Sequence, residues 1–126
     1  MTVALNVAFV ASPPGLSPYT AFTLDPIEGA DGLYALRSQE QDDVRLYVLD
    51  QTGGRSGYAP HVGGTIRAEI GAEDPEDVRL FVVVNPTESG VFVNLRAPII
   101  MHRESGRASQ IILEDESYSF REPLTV

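Results

Sequence analysis

The side chains that most often carry out catalysis or bind metals are scarce in this sequence. Its 126 residues include two histidines, His61 and His102, but no cysteine and no lysine. Structural zinc sites usually combine several His, Cys or carboxylate ligands at characteristic spacings, and neither histidine lies in such a pattern. Thiolate and Schiff-base nucleophiles would need the two missing residue types. We therefore expect no catalytic residue, no metal and no cofactor.

Carboxylates, by contrast, are abundant enough to raise the question of acid–base catalysis. Paired acids such as Asp42-Asp43 or Glu114–Glu116 could serve a glycosidase, which needs two carboxylates facing one sugar bond. However, 18 acidic residues in a chain of 126 make such neighbours frequent by chance. Neighbouring acids in a turn usually point into solvent, so we interpret these pairs as surface charge.

Two glycine pairs, Gly53-Gly54 and Gly63-Gly64, could in principle form a phosphate-binding loop. Such a loop runs from a strand into the N-terminus of a helix, and no helix is predicted after either pair. A P-loop also needs a lysine, which this chain lacks. We interpret both pairs as loops or bulges, and the chain as a binding protein rather than an enzyme.

The charge of the chain is strongly skewed. All nine basic residues are arginines, and the 18 acidic residues give a formal net charge of −9 at pH 7. A surface this negative repels nucleic acid, but it would accelerate association with a basic protein partner. Solubility is the alternative explanation for the acidic residues.

The elements that must position these side chains are short runs rich in β-branched and aromatic residues. Turn-forming residues separate the runs at intervals typical of small all-β proteins. The sequence therefore predicts an all-β fold, a small antiparallel β-barrel or pseudo-barrel with little or no helix. Only Ala72–Asp77 suggests a helical turn. The predicted strands are Val3–Val10, Ala21–Leu24, Leu33–Arg37, Val44–Leu49, Gly64–Ile70, Val78–Val84, Val91–Leu95, Ile99–His102, Arg107–Leu113 and Ser117–Arg121.

The apolar pattern also predicts which faces of the strands are buried. Val44, Leu46 and Val48 alternate onto one face of a strand. The run Leu80–Val84 is apolar on both faces, which predicts a central strand that is covered on both sides.

The length of the chain predicts one domain, residues 1–126. No apolar run approaches the roughly 20 residues that a membrane-spanning helix needs. Met1–Ala11 is apolar, but no positive residue precedes its apolar part, so a first strand is favoured over a signal peptide. We expect a cytoplasmic protein that does not bind membranes. The sequence leaves its oligomeric state open, with a monomer favoured.

The C-terminal third contains the clearest local signal. Asn94–His102 and Arg107–Leu113 are extended apolar segments, joined by the short polar turn Arg103–Gly106. This pattern predicts a hairpin, with Gly106 at the position that commonly needs a left-handed backbone. The same pattern predicts that Leu95, Ile99 and Met101 belong mainly to the core.

This segment resembles the block NLxAPI…(A)xQ(I/V)(I/L)L of the flagellar assembly factor FliW family. Similarity continues in order along the chain, in Leu33–Gln39, Asp42–Asp50, Tyr58, Asp77–Val84, and the closing set Tyr118, Arg121, Pro123 and Leu124. The chain departs from the family at Gln51, where proline is usual, and at Arg37, where glutamine is common. We interpret the block residues as mainly structural; they are Asn94, Leu95, Ala97, Pro98, Ile99 and Gln110.

The resemblance implies a function that the residues alone do not. FliW-like proteins are cytoplasmic, non-enzymatic, β-barrel-like proteins that bind flagellin, as a chaperone-like partner, and the RNA-binding translational regulator CsrA. The chain would then antagonise the repression of flagellin mRNA translation by CsrA, without contacting nucleic acid itself. The resemblance further implies non-competitive inhibition, through a surface of CsrA outside its RNA site. The alternative is a small all-β ligand-binding or accessory domain with no flagellar role.

The candidates for partner binding are acidic residues in predicted loops beside strong strands. A partner that binds RNA must carry a basic surface, which would be complementary to such loops. The candidate residues are Asp42, Asp43, Glu73, Asp74, Glu76 and Asp77.

Overall fold

The computed structural model describes residues 5–13, 15–53 and 57–124, and its strands close into a barrel. Seven strands form the ring in chain order, and an eighth pairs with β6 outside it. The strands are β1 (Leu5–Phe9), β2 (Ala21–Pro26), β3 (Leu33–Ser38), β4 (Arg45–Asp50), β5 (Val78–Thr87), β6 (Gly90–His102), β7 (Arg107–Gln110) and β8 (Glu122–Pro123).

The parallel pairing that closes the ring follows from its odd number of strands. Successive strands alternate in direction, so the first and the seventh run the same way and must pair in parallel. The pairs Ala8 with Arg107 and Phe9 with Ala108 make this parallel contact, whereas the other described pairings are antiparallel. The predicted all-β barrel is therefore confirmed, with one parallel seam.

The inside of the barrel is filled by alternate side chains of all seven strands. Phe9 and Phe22 meet edge to face, with their ring centroids 5.4 Å apart, a favoured geometry for aromatic pairs. Val44 and Leu46 pack against this interior around the buried Val48, as the alternation predicts. The buried residues of the interior are Val7, Phe9, Phe22, Leu24, Leu36, Val48, Phe81, Ile99, Met101 and Ala108.

An outer layer covers one side of the barrel. Phe81 of β5 faces the interior, while Val82 packs outside it against Tyr58. This confirms the prediction that β5 is covered on both faces. A neighbouring outer cluster contains Ile70, Ile100 and Ile111. Residues 57–77, which precede β5, and the segment after β7 thus lie against the wall of the barrel.

The prediction of a strand over Gly64–Ile70 is wrong. Residues Gly64–Glu69 form a short helix, α1. Ile66 and Ile70, four residues apart, both pack in the outer cluster, which is the spacing of one helix face. Gly71, with φ of +75°, follows in the left-handed conformation that commonly ends helices. A helix therefore does follow Gly63-Gly64, contrary to our interpretation, although it has only six residues.

Other predicted boundaries also change. One strand, β6, contains both of the predicted strands Val91–Leu95 and Ile99–His102. The predicted first strand begins in residues 3–4, which lie outside the described residues. Ser117–Arg121 is not a strand, because Asp115 Oδ1 accepts hydrogen bonds from both the backbone N–H and the hydroxyl of Ser117, an arrangement that forms a turn. The pairing with β6 resumes only at β8.

Two of the predicted turns are present. Pro75–Asp77 forms a single turn of 3-10 helix. Gly106 has φ of +77° and donates its backbone N–H to His102 O at 3.0 Å, closing the β6–β7 hairpin. A Cβ atom at Gly106 would collide with the carbonyl oxygen of Asn6. Glycine is therefore required there by both the backbone conformation and the close approach of β1.

Candidate protein-binding surfaces

The six acidic candidates lie at opposite ends of the barrel. Asp42 and Asp43 are exposed in the connection from β3 to β4, at the end that we call the upper end. Glu73, Asp74 and Glu76 are exposed, and Asp77 half-buried, just before β5 begins at the lower end. Since β4 and β5 are antiparallel neighbours, the start of β4 and the start of β5 are on opposite rims. The structure does not bring the two groups together.

A third acidic segment, Glu114–Glu116, belongs to the outer layer. Glu114 and Asp115 line a cleft together with His61 and Ile66. Hydrogen bonds from the hydroxyl and backbone N–H of Ser117 lower the pKa of Asp115, with a smaller contribution from the charge of Arg96. The three acidic segments therefore occupy separate parts of the surface.

Arginine side chains fix the acidic loop at the lower end. Arg103 donates its backbone N–H to Asp77 O at 2.7 Å and its Nε–H to Glu76 O at 3.2 Å. Arg67 donates to the carbonyl oxygens of Val62 and Glu73. A guanidinium has several N–H donors in a rigid fork, so one side chain can bind more than one backbone carbonyl. The loop that carries Glu73–Asp77 is consequently tied to α1 and to the β6–β7 turn.

An ion pair lies inside the lower rim. Arg79 Nη2 is 3.2 Å from Asp50 Oδ2 and is largely shielded from solvent. The guanidinium also lies over the ring of Phe81, 4.9 Å from its centroid. Burial opposes ionisation of Asp50, but hydrogen bonds from the hydroxyl and backbone N–H of Thr52, together with Arg79, outweigh it and lower the pKa of Asp50.

The block Asn94–Ile99 forms a bulge in β6. Asn94 pairs with Val83 and Ile99 with Phe81, so four residues of β6 face the single residue Val82 of β5. Asn94 Oδ1 accepts hydrogen bonds from the backbone N–H groups of Arg96 and Ala97, at 3.1 and 3.0 Å. A bulge leaves backbone groups without ladder partners, and here the asparagine side chain satisfies two of them.

The remaining residues of the block support the same bulge. Gln110 donates from Nε2 to Ala97 O at 3.0 Å, and Pro98 O accepts the backbone N–H of Ile111 at 2.9 Å. Ala97, Pro98 and Ile99 are buried, and Leu95 packs at the edge of the outer layer. Each polar member of the block thus has a partner inside the molecule.

Tyr58 fastens the outer layer to this bulge, a role that sequence reasoning missed. Its hydroxyl donates to Leu95 O at 2.6 Å, and its ring meets Tyr118 edge to face at 5.3 Å. Burial, and then the neighbouring Tyr118, raise the pKa of Tyr58 well above its ordinary value. In the sequence, the only indication of this role is that Tyr58 is an aromatic residue in an otherwise glycine-rich segment.

An aromatic groove at the upper rim was also missed. Phe92, Asn94, Phe120 and Arg121 contribute to a groove of about 250 Å³. The Arg121 guanidinium lies 4.0 Å from the centroid of the Phe92 ring, and Arg96 lies 5.2 Å from that of Phe120. Phe120 is 53% exposed.

The two histidines have different surroundings. His61 is exposed beside α1, whereas His102 Nδ1 accepts the backbone N–H groups of Glu104 and Ser105 in the β6–β7 turn. Within the described ranges, no group of three or more His, Asp or Glu side chains is arranged to hold a metal ion. In the same ranges, no helix is long and apolar enough to cross a membrane.

Comparison with known proteins identifies the family. The family model described as FliW protein matches residues 3–124. This chain belongs to the FliW family. A flagellar assembly factor FliW from Exiguobacterium sp. is 30% identical over 124 residues, covering 96% of this chain and 84% of the relative. The flagellar assembly factor FliW of Shouchella clausii is 27% identical over 120 residues, covering 94% of this chain and 82% of the relative.

A solved structure shares the fold of this FliW-family chain. A crystal structure of the flagellar assembly factor FliW superposes with a TM-score of 0.84 and 20% sequence identity, covering 96% of this chain and 86% of the other. At that identity the likeness concerns the fold. The barrel described above is therefore the FliW barrel.

Proposed function

We propose that this chain is a flagellar assembly factor that binds flagellin and a CsrA-type translational regulator in the cytoplasm. The observation that carries the proposal is the match of the FliW family model to residues 3–124, together with relatives named flagellar assembly factors. When flagellin accumulates, it captures this protein, and the regulator is free to repress translation of flagellin mRNA. Export of flagellin reverses the exchange.

The charge of the molecule supports a basic partner. The net charge is −9, and a regulator that binds RNA has to present basic residues. Opposite charges accelerate association. The loop Glu73–Asp77 is the better of the two acidic candidates, because Arg103 and Arg67 hold its backbone in place. A fixed loop loses less conformational entropy on binding than a free one.

The distribution of carboxylates supports inhibition without imitation of RNA. An RNA mimic would need acids spaced like phosphates along one continuous face. Here the candidates lie on opposite rims, and Glu114–Glu116 lies in the outer layer. We therefore propose that the protein binds the regulator outside its RNA site and lowers its RNA affinity by coupling.

The block from Asn94 to Gln110 has a structural task in this proposal. Its polar side chains bond to backbone groups of the bulge, which leaves them few free hydrogen-bonding groups for a partner. Leu95, Ala97, Pro98 and Ile99 contribute packing. The block thus shapes the wall to which Tyr58 attaches the outer layer.

The test is calorimetric titration of the purified chain with flagellin and, separately, with the CsrA-type regulator from its own source. We expect saturable binding to each, and displacement of the regulator when flagellin is added. A basic protein of similar size and charge that does not bind RNA serves as the control for non-specific attraction. Failure to bind either protein would refute the assignment, and equal binding of the control would refute specific recognition.

A further inference from the structure

The aromatic groove at the upper rim has the composition of a protein-binding hot spot. Phe92, Phe120 and Arg121 line it, and aromatic residues and arginine are the types most enriched at the centres of interfaces. Leu46 and Val83 contribute an apolar floor. A groove of about 250 Å³ has room for one large apolar side chain.

The groove also carries positive charge on an acidic molecule. Arg121 is stacked on Phe92 and makes no ion pair within 4.0 Å in the part of the chain that is described. Arg96 lies over Phe120 and donates to the carbonyl of Leu113. A guanidinium stacked on an aromatic ring keeps its in-plane N–H groups free for a carboxylate. The charge complement of this site is therefore an acidic group.

The strand beside the groove is not suited to pairing with an added strand. Leu124 donates its backbone N–H inward, to Val91 O at 2.8 Å. In the alternation of a β-ladder, residues 121 and 123 are therefore the positions from which an N–H would point outward, toward an added strand. Residue 123 is proline, which has no N–H, and the N–H of Arg121 is taken by Ser119 Oγ at 3.0 Å. Proline is a common device for blocking sheet edges.

From these observations we propose that the groove is a docking site for an acidic, apolar segment of a partner protein. One apolar side chain of the segment enters between Phe92 and Phe120, and an adjacent carboxylate pairs with Arg121. Contact is made through side chains and not by addition of a strand to β8. Charge directs the segment to this groove, because the acidic surface elsewhere repels it. Repulsion from charges more than about 8 Å away is screened at physiological salt, so that distant acidic residues do not prevent binding at Arg121. This site lies at the end of the barrel opposite the loop Glu73–Asp77, the better candidate for binding the basic regulator.

The experiment uses short synthetic peptides of the repeated pattern Glu-Leu-Leu-Glu, with Gln-Leu-Leu-Gln and Lys-Leu-Leu-Lys counterparts, added to the isotope-labelled chain. We expect the acidic peptide to shift the backbone amide signals of Phe92, Asn94 and Arg121. It should bind about tenfold more tightly than the Gln peptide, as expected for one charged hydrogen bond. Equal binding of the Gln peptide, tighter binding of the Lys peptide, or shifts confined to other surfaces would overturn the proposal.

Matched variants assign the effect to the groove. Arg121→Glu should abolish the preference for the acidic peptide, and Phe120→Ala should weaken binding of the acidic and Gln peptides alike. Arg45→Glu is the control, since Arg45 is also exposed and stacked on an aromatic ring, that of Tyr47, but does not line the groove. If Arg45→Glu lost the preference for the acidic peptide as fully as Arg121→Glu, the effect would be one of general charge, and the proposal would be contradicted. Flagellin and regulator binding, measured on the same variants, test the proposed function separately.

Discussion

At the residue scale, the interior ion pair links stability to pH. The pKa of Asp50 is lowered in the folded state, so its carboxylate stabilises the fold above the ordinary value of 3.8, and this contribution is lost as pH falls through the lowered pKa. Asp50→Asn would leave the half-buried Arg79 without its partner. We expect this to cost about 1–3 kcal/mol at neutral pH, and the difference from the original chain should shrink in acid.

Chemical denaturation between neutral pH and pH 3 measures this effect. The control is Asp25→Asn, which breaks the Arg37–Asp25 contact, where both side chains are well exposed. Surface pairs contribute little, so we expect a change below about 1 kcal/mol. If the free energy of unfolding of Asp50→Asn differed from that of the original chain by the same amount at every pH, lost packing and not charge would be the cause.

The packing of Ile99 gives a second residue-scale prediction. Ile99 is 3% exposed in the interior of the barrel, whereas Ile112 is 66% exposed. Ile99→Ala should lower the free energy of unfolding by roughly 2–5 kcal/mol, and Ile112→Ala by less than about 0.5 kcal/mol. Thermal and urea unfolding of the two variants provide the comparison. An Ile99→Ala protein of unchanged stability that has lost partner binding would assign the block a direct role in recognition.

At the element scale, the acidic loop before β5 can be tested by charge reversal. Changing Asp74, Glu76 and Asp77 to arginine should slow association with the basic regulator and reduce the dependence of the rate on salt. Reversal of Glu114 and Glu116, in the outer layer, changes the net charge by four instead of six and is the control; it should leave the association rate much less affected. Stopped-flow association at several salt concentrations measures both, after thermal unfolding has shown that the variants fold. Unaltered kinetics in the triple variant would move the interface to another surface.

The elements also show what the sequence could and could not predict. Strands with regular alternation, such as β4, and the β6–β7 turn with its required glycine were predictable, because their signals are local. Gly64–Ile70 was misassigned since six or seven residues fit both the strand period and the helix period, and contact with Ile100 and Ile111 selects the helix. The bulge at Asn94 was not predictable from the local pattern, because it depends on which residues of β6 pair with β5 and on the hydrogen bonds that the Asn94 side chain makes to the backbone.

At the scale of the whole molecule, the separation of the acidic loops predicts a ternary complex. If this protein binds the regulator outside its RNA site, the apparent dissociation constant for RNA should rise with added protein and then reach a plateau. The expected coupling is about 1–3 kcal/mol, or roughly 5- to 150-fold. Fluorescence anisotropy of labelled RNA at rising protein concentrations measures it. A dissociation constant that keeps rising in proportion to added protein would indicate direct competition.

The parallel seam between β1 and β7 has a consequence for synthesis of the protein. Translation proceeds from the N-terminus, and β1 meets its second neighbour only when Arg107 and Ala108 have been made. Until then a nascent chain keeps one edge of its sheet open and cannot enclose Val7 and Phe9. Contacts between distant parts of a chain form slowly, so the closing step comes late. A protein proposed to monitor another protein's accumulation thus becomes competent only after its own β7 has been translated and has paired with β1.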